Sequence, residues 1–369
     1  MISVIGAGPA GSFYAYKEKH DDVTIFEEHK TCGDPVACTG ILTDSVKQFV
    51  DIPRNLIVSK IRKFKMVSPN GKEMYIDLKK ENLVLDRARF DRFILDKALD
   101  KGVKINLGEK FLGYKKSGKG YSIKTSKRTY DTSMIVGADG PFSQVARSTG
   151  IYGNRTFVKG WQARCKFPNL EPGVTEIHLN LGEFSWVVPE DDKIARVGVI
   201  GIDNTKLKSD YKKLLGASKV IEDQSGYIPV YNPKQRLRKE NVFLIGDAAT
   251  QVKATTYGGI LYGMIAGNYL AMDKEDYISN VNKKLAKDLW VSLKMREMMN
   301  SMSEKQANEM IEIFRKKSNT DILSNHDRNF PSKFIVQLLM KEAKLWKLGF
   351  SIFRNRVFGK KGMEEMFIK

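Results

Sequence analysis

The chain has 369 residues, 42% of them hydrophobic, which is long enough for one large core or two to three modules and too apolar for an intrinsically disordered protein. Lys and Arg outnumber Asp and Glu by 62 to 43, and the net charge of +19 favours an anionic partner unless it only reflects a lysine-rich composition. The sequence shows no run of about 18 apolar residues, no signal-peptide pattern and no zinc-type spacing among its three Cys and four His. It therefore predicts a cytoplasmic protein without a membrane span, a disulfide framework or a metal site.

The first predicted element is a short strand, residues 1–5, followed directly by a glycine-rich turn and a helix. Residues 6–11 read GAGPAG, a G-x-G-x-x-G sequence in the strand-to-helix context of dinucleotide-binding folds. In such a turn Gly6 permits the tight bend, Gly8 lets the backbone approach a pyrophosphate, and Gly11 lets the helix pack close to the strand. The helix N-terminus adds free N–H groups and a positive dipole end for the phosphates.

A second predicted strand, residues 22–26, ends at Glu27, about 20 residues after the glycines, where an acidic side chain would bind a ribose hydroxyl. The following pattern predicts a loop over 31–45, a hairpin over 60–79 and a helix over 87–100.

Strand patterns dominate the middle of the chain, and helical, lysine-rich sequence follows from about residue 275. Further strands are predicted over 103–107, 121–124, 129–130, 134–136, 162–167, 175–181, 184–188, 195–200 and 241–245. The overall class is α/β, or α+β as a whole, with discontinuous domains. The predicted parts are a Rossmann-type cofactor domain from 1–58, 80–156 and 236–275, an inserted antiparallel β-sheet substrate domain from 59–79 and 157–235, and a C-terminal helical, basic region from 276–369.

Two buried strands each deliver an aspartate beside a glycine. Residues 136–140 read VGADG and contain Asp139, and residues 242–249 read VFLIGDAA and contain Asp247. Each carboxylate could accept a hydrogen bond from a ribose or ribityl hydroxyl, or could simply cap the next helix. Together with the N-terminal glycines, they favour a dinucleotide site.

The three motifs, in this order, resemble those of the FAD-binding fold of the aromatic hydroxylase type. Residues 87–91, RARFD, resemble the Arg-x-x-Phe-Asp helix start of those enzymes, and this resemblance places Arg87 close to a flavin. It implies FAD as the cofactor. The expected cofactor-binding residues are Gly6, Gly8, Ala10, Gly11, Glu27, Cys32, Gly33, Arg87, Asp139, Gly140, Asp247, Gly258, Gly259 and Ile260.

Over residues 1–270 the chain is more specifically similar to the geranylgeranyl reductases. Residues 30–34, KTCGD, resemble their Cys-Gly-Asp/Glu loop, residues 184–189, FSWVVP, resemble their Tyr-x-Trp-x-Phe-Pro signature, and residues 258–260 match their Gly-Gly-Ile run. The signature lines an isoprenoid pocket in that family, so the expected substrate-binding residues are Phe184, Trp186, Val188 and Tyr257. The chain departs from the family pattern at Phe184, Val188, Thr250, Ala254 and Tyr257, where the family usually has Tyr, Phe, Gly, Pro and Gly.

The resemblance implies an FAD-dependent reductase that saturates C=C bonds of geranylgeranyl chains of archaeal membrane lipids by hydride transfer and protonation. Cys32 or a flavin-bound water is the expected proton donor. Simple packing is the alternative for Cys32, Cys38 is a weaker candidate, and Cys165 is expected to be structural. The electron donor is left open between NAD(P)H, a ferredoxin and a deazaflavin. Two other readings are an FAD-dependent monooxygenase or halogenase acting on an apolar substrate, and a flavin-carrying electron-transfer or membrane-binding protein.

The C-terminal segment, residues 333–361, has an amphipathic helical pattern. Its apolar face comprises Ile335, Leu339, Ala343, Trp346, Phe350, Phe353 and Val357. The basic residues around that face are Lys333, Lys341, Lys344, Lys347, Arg354, Arg356, Lys360 and Lys361. Such a helix could hold the protein peripherally on an anionic membrane, or could be an ordinary docked helix with a solvated basic face. No nucleic-acid partner is expected.

Overall fold

The computed structural model describes residues 1–20 and 22–358, with side chains up to residue 352. The strands are β1 (Ile2–Ile5), β2 (Val23–Phe26), β3 (Ile41–Leu42), β4 (Ile57–Val67), β5 (Glu73–Leu85), β6 (Lys104–Asn106), β7 (Phe111–Ser117), β8 (Gly120–Thr125), β9 (Thr129–Thr132), β10 (Met134–Gly137), β11 (Phe157–Lys166), β12 (Val174–His178), β13 (Phe184–Pro189), β14 (Ile194–Gly201), β15 (Lys219–Pro229), β16 (Arg238–Lys239) and β17 (Val242–Leu244). The helices are α1 (Pro9–Lys17), α2 (Arg87–Leu99), α3 (Gln144–Thr149), α4 (Asn204–Leu215), α5 (Ile260–Met272), α6 (Tyr277–Val281), α7 (Lys287–Asn300), α8 (Glu304–Phe314), α9 (Lys317–Asn325), α10 (Ile335–Lys341) and α11 (Ala343–Phe358).

The first sheet has the strand order β16-β17-β10-β1-β2-β6 and is parallel except for β16. All four residues of β1 are buried, because both faces of this sheet are covered. Val4 faces a core formed with α1, α2 and α5, whereas Ile5 faces a core formed with α3 and the small sheet β7-β8-β9. The continuous apolar run that predicted a buried strand therefore serves two cores.

The second sheet has eight strands in the order β15-β11-β14-β13-β12-β4-β5-β3. Its pairs are antiparallel except for β12 and β4, which run parallel with Val174 opposite Lys63. The predicted α/β class, with a Rossmann-type sheet, a mainly antiparallel sheet and a helical C-terminal region, is confirmed. The boundaries of the domains remain a prediction.

Five elements are absent from the sequence prediction, namely α4, β7, β15 and the two-residue strands β3 and β16. Most of β15 is exposed because it is an edge strand, so its sequence lacks the apolar alternation that marks a half-buried strand. Helix α4 buries only Leu207 and Tyr211, and Asp203 caps its first turn by accepting from the N–H groups of Thr205 and Lys206.

The single amphipathic helix predicted over 333–361 is wrong as one element. The chain bends at Glu342, which separates α10 from α11. Leu348 and Ile352 are buried together with Met310 and Ile313 of α8, and Leu338 of α10 is also buried. Lys360 and Lys361 lie outside the described residues, as do the side chains of Phe353 and Val357. None of the described helices has both the length and the hydropathy needed to cross a bilayer.

Candidate functional site

A cleft of about 740 Å³ lies at the carboxyl ends of β1, β2 and β10 and contains residues from all three predicted motifs. Strand β1 pairs with β2 on one side and with β10 on the other. The order in which the chain adds strands to the sheet therefore changes direction at β1. Ligands of open α/β sheets bind at such a switch point.

The three glycines of the first motif have different surroundings in the structure. Gly6 has a φ of +102°, and a Cβ there would lie 2.5 Å from the carbonyl oxygen of Ala138. A Cβ on Gly11 would lie 2.1 Å from the carbonyl oxygen of Gly6, so this glycine is needed for close packing of α1 on β1. By contrast, a Cβ on Gly8 would meet no atom within 4 Å. Gly8 therefore leaves open space in front of the N-terminus of α1.

Helices α1 and α5 approach closely because small residues face each other. A Cβ on Gly246 or on Gly263 would lie 2.9 or 3.0 Å from the Cβ of Ala10. All three residues line the cleft, together with Gly259 and Ile260 at the start of α5. Two helix N-termini consequently border the cleft, and free N–H groups at such ends favour anionic ligands.

Glu27 lies at the end of β2 and lines the cleft. Its Oε2 accepts from the Ala7 N–H at 2.8 Å, and its Oε1 accepts from the His29 N–H at 2.9 Å. These bonds fix the carboxylate between the glycine-rich turn and the chain after β2.

Asp139 and Asp247 both line the cleft but differ in their partners. Asp139 accepts from the Ser143 hydroxyl at 2.6 Å and from the Val145 N–H at 2.9 Å, so it also caps α3. The Asp247 carboxylate has no hydrogen-bond partner among the described residues, and burial raises its pKa to about 6 against the opposing effect of Arg87 and Arg155. An unpartnered carboxylate facing a cleft is an acceptor available to a ligand hydroxyl.

Arg87 forms a two-point ion pair with Asp91 one turn further along α2, with N–O distances of 3.1 and 3.0 Å. The pair lines the cleft beside the loop that contains Gly33, whose φ is +79° and whose Cβ would lie 2.9 Å from the Ala88 carbonyl oxygen. The carboxylate of Asp91 raises the pKa of Arg87 and the guanidinium stays charged. A fixed cation thus lies in the cleft wall.

The two cysteines of the 31–45 loop point in different directions. The Cys32 thiol is buried, donates to the Ala7 carbonyl oxygen at 3.0 Å and belongs to the main core. Burial, reinforced by Asp91 and Glu27, raises its pKa to about 12. Cys38 instead lines the cleft and interacts with Arg87. The catalytic role of Cys32 stays a prediction, and Cys38 is the thiol that borders the open space.

A second cavity of about 160 Å³ lies between the cleft and the eight-stranded sheet. The two spaces share Ala37, Cys38, Ile228 and Tyr257 in their walls.

The predicted signature residues divide at this second cavity. Phe184 and Trp186 line it, whereas Val188 is fully buried in a neighbouring core with Ile61 and Phe64. The Trp186 Nε1 donates to the Gln162 side-chain oxygen at 3.1 Å.

Polar groups outside the motifs organise this cavity. Gln162 also accepts from the Thr39 hydroxyl at 2.7 Å and donates to Gln224 at 2.9 Å. Nothing in the local sequence around Gln162 or Thr39 indicates this contact, because Thr39 lies in the loop before β3 and Gln162 lies 123 residues later, in β11.

Tyr257 is held at the boundary of the two spaces by a buried ion pair. Its hydroxyl donates to the Glu183 carboxylate, and its ring stacks on Phe184 with a centroid distance of 6.3 Å. Arg296 lies 3.8 Å from the same carboxylate and 5.6 Å from the Tyr257 ring centroid. Its guanidinium also donates to the backbone carbonyls of Ala254 and Thr255. Neither Glu183 nor Arg296 is part of a sequence motif.

Comparisons with known proteins agree with this geometry. No family model matches the chain. A digeranylgeranylglycerophospholipid reductase of Methanosarcina acetivorans is 29% identical over 320 residues, covering 78% of this chain and 77% of that protein. One of Methanosarcina mazei is 30% identical over 301 residues, covering 72% of each.

Solved structures show the same fold. A geranylgeranyl bacteriochlorophyll reductase-like protein from Thermoplasma acidophilum superposes with a TM-score of 0.79 at 19% identity, covering 94% of this chain and 98% of that one. A flavin-dependent halogenase superposes with a TM-score of 0.61 at 17% identity, covering 96% of this chain and 71% of that one. Because the protein from Methanosarcina mazei is 30% identical to this chain over 72% of each sequence, the chain belongs to the digeranylgeranylglycerophospholipid reductase family.

Proposed function

We propose that this protein is an FAD-dependent reductase that saturates C=C bonds in the geranylgeranyl chains of membrane lipids. The observation that carries the proposal is the junction of two spaces of different chemistry. One is the cleft, whose wall contains glycines, helix N-termini and the unpartnered Asp247 carboxylate. The other is the smaller cavity, which is lined largely by apolar residues. Cys38 and Tyr257 lie in the wall of both. The names of the relatives supply the substrate class.

The residues present fit an FAD molecule. The open space before Gly8 and the N-terminus of α1 would hold the pyrophosphate, and Glu27 would accept from a ribose hydroxyl. Asp247, which lacks a partner among the described residues, would accept from a hydroxyl of the ribityl chain. Once bound and reduced, FAD supplies the hydride for one alkene carbon.

The protein itself must hold the alkene and deliver a proton to its other carbon. An isolated C=C bond has no carbonyl to stabilise charge, so the acid must be well placed in a site that excludes water. We propose that Phe184 and Trp186 hold a segment of the prenyl chain and that the Cys38 thiol, in the wall common to both spaces, donates the proton. Cys32, whose buried thiol donates to the Ala7 carbonyl oxygen, is the other candidate for the proton donor.

Mass spectrometry after incubation with chemically reduced enzyme tests the proposal. The expected product is heavier than the prenyl lipid by two hydrogens for each saturated bond. A product that has gained oxygen or halogen would assign the chain to the monooxygenase and halogenase chemistry of its more distant fold relatives. If the protein binds flavin but does not change the lipid, it would instead be a flavin-carrying electron-transfer or membrane-binding protein. Supplying NADPH, a ferredoxin or a reduced deazaflavin in place of the chemical reductant identifies the electron donor.

The C-terminal helices support a further proposal, that the protein binds the membrane surface peripherally. Four large apolar side chains on α10 and α11 are strongly exposed: Val336 (55%), Met340 (82%), Trp346 (62%) and Phe350 (70%). Lys333, Lys341, Lys344 and Lys347 on the same segment are also exposed. Exposed apolar side chains among cations fit an anionic lipid interface.

Charge-introducing substitutions test this membrane proposal without deleting the buried half of α11. We expect Met340→Glu and Trp346→Glu to reduce co-sedimentation with vesicles of an anionic phospholipid. The matched controls are Met272→Glu and Trp290→Glu, which alter exposed residues outside α10 and α11 and should leave binding unchanged. Wild-type binding should also fall with salt, because the attraction is screened beyond about 10 Å at 0.1 M. Equal loss in all four variants would mean that only net charge matters.

A further inference from the structure

One cation in the wall of the smaller cavity has no ionic partner. Arg328 lines this cavity, and its guanidinium carbon lies 4.9 Å from the centroid of the Phe64 ring. Its Nε atom is buried without a hydrogen-bond partner, and no carboxylate of the described residues lies within ion-pair distance of its guanidinium. Buried polar atoms are normally satisfied, so this one requires an explanation.

The surroundings of Arg328 contain a buried lysine and one carboxylate, Asp327, whose charge acts on Arg328 without forming an ion pair with it. Lys253 is fully buried, and its Nζ donates to the Asn329 side-chain oxygen at 2.8 Å and lies 3.5 Å from the Arg328 carbonyl oxygen. Asp327 is the adjacent acid in the sequence, but its carboxylate already accepts from the hydroxyls of Thr43 and Ser45 and from the Asn329 N–H. Burial, together with the charge of Arg328, lowers the pKa of Lys253, and the Asp327 carboxylate only partly opposes this.

Keeping the Arg328 guanidinium charged without a directly paired carboxylate is costly, and an anionic ligand group would offset that cost. The planar guanidinium matches the geometry of a phosphate group, which it can bind through two parallel hydrogen bonds. The same cavity wall carries the side chains of Gln162 and Gln224, so the space is not purely apolar.

We infer that Arg328 is the counter-ion for an anionic, phosphate-type group carried by the prenyl ligand. The inference rests on the proposed substrate class and deepens it, because it assigns the polar end of the ligand a position in the protein. The cavity, at about 160 Å³, has room for a phosphate group and a short segment of chain beside Phe184 and Trp186, but not for a whole geranylgeranyl chain. The remainder must extend through the wall that this cavity shares with the larger cleft, or towards solvent.

The test compares two ligands with the same chain, farnesyl monophosphate and farnesol, by isothermal titration calorimetry in dilute detergent. Wild-type protein loaded with FAD should bind the phosphate on the order of 10- to 100-fold more tightly, as a charge-assisted pair implies. Arg328→Gln should remove this difference and leave farnesol binding unchanged, whereas Arg328→Lys should retain part of it. Arg315→Gln, which removes a half-exposed arginine outside the cavity, is the control.

The variants should remain folded, because Arg328 forms no ion pair and its buried Nε forms no hydrogen bond among the described residues, so Arg328→Gln breaks neither. The melting temperature of Arg328→Gln should therefore be no lower than that of the wild type.

Each other outcome has a separate meaning. Equal affinity for the two ligands in the wild type, or an unchanged preference in Arg328→Gln, would overturn the inference while leaving the proposed function intact. If neither ligand binds, the proposed substrate class fails and the inference fails with it. Competition by inorganic phosphate at the same concentrations would assign the site to free phosphate and overturn the head-group assignment.

Discussion

Two glycines of one turn should respond to substitution in opposite ways. A methyl group on Gly11 would lie 2.1 Å from the Gly6 carbonyl oxygen, so α1 would have to move away from β1. A side chain on Gly8 would meet no protein atom within 4 Å and would enter only the space proposed for the pyrophosphate. Gly11→Ala should thus damage the fold, and Gly8→Val should damage cofactor binding.

The expected magnitudes differ enough to separate the two effects. Overpacking costs typically about 1–3 kcal/mol, and the backbone contact at Gly11 places this variant at the upper end. Gly8 is the N-cap of α1 and has no side-chain cap bond, so its replacement should cost the cofactor-free protein about 1 kcal/mol or less. FAD at a hundred times its dissociation constant stabilises the wild type by about 2.7 kcal/mol, and this gain should vanish in Gly8→Val.

Urea unfolding of both variants, with and without added FAD, provides the measurement. The wild type should gain stability with FAD, Gly8→Val should show nearly the cofactor-free wild-type value in both conditions, and Gly11→Ala should be less stable throughout. The flavin released on denaturation, identified by chromatography, should be FAD. A folded Gly8→Val protein with normal FAD content would show that the cofactor binds elsewhere and would refute the proposed cofactor site.

Substitutions in the cavity walls test the remaining assignments. Cys38→Ala should keep its flavin but reduce prenyl substrates roughly 10²-fold more slowly. Cys32→Ala should change the stability of the protein and not its turnover. The reverse pattern would identify Cys32 as the proton donor. Trp186→Ala should weaken prenyl binding by about 2–3 kcal/mol in calorimetry with an unchanged flavin spectrum, unless the residue is merely core and the variant unfolds. Because burial raises the pKa of Asp247 from 3.8 to about 6, the folded state binds the extra proton between these values. Cofactor-free protein should then lose stability as the pH rises through that window, and Asp247→Asn should lose less; identical pH profiles of unfolding would contradict this.

The contiguous motifs could be predicted because their structure depends on near neighbours. The apolar run of β1, the glycines after it and Glu27 lie within 27 residues, and the positive φ of Gly6 and the close approach of Gly11 to Gly6 are local features. The same holds for Asp139 and Asp247, each of which directly follows a buried strand. Parallel pairing then brings the ends of these strands to one edge of the sheet, which the sequence could indicate only through the motif order.

The substrate side of the site was less predictable because it is assembled from distant segments. Cys32 and Cys38 lie in one loop, and only the packing of Gly33 against α2 and the bond from Cys32 to Ala7 decide which thiol faces the open space. Arg328 lies 264 residues from Phe64, the ring that its guanidinium covers. The period of two along β13 placed Phe184, Trp186 and Val188 on one face, but could not show where the cavity ends and the core begins.

The departures from the family pattern at Thr250 and Tyr257 acquire a physical meaning in the structure. Both residues have left-handed backbone conformations, with φ of +55° and +51°, which suit the glycine that the resemblance implies at these positions. A non-glycine residue in the left-handed conformation destabilises the folded state by about 1 kcal/mol or more, so contacts with its surroundings must stabilise it. For Thr250 the hydroxyl accepts from the Asn232 N–H. For Tyr257 the contacts are the Glu183 carboxylate, the Phe184 ring and Arg296, which also binds the backbone of the same loop. In place of glycine, this chain therefore has a rigid aromatic side chain between the cleft and the smaller cavity. Because Tyr257 lines both spaces, its ring would lie close to both a prenyl segment in the smaller cavity and the proposed flavin.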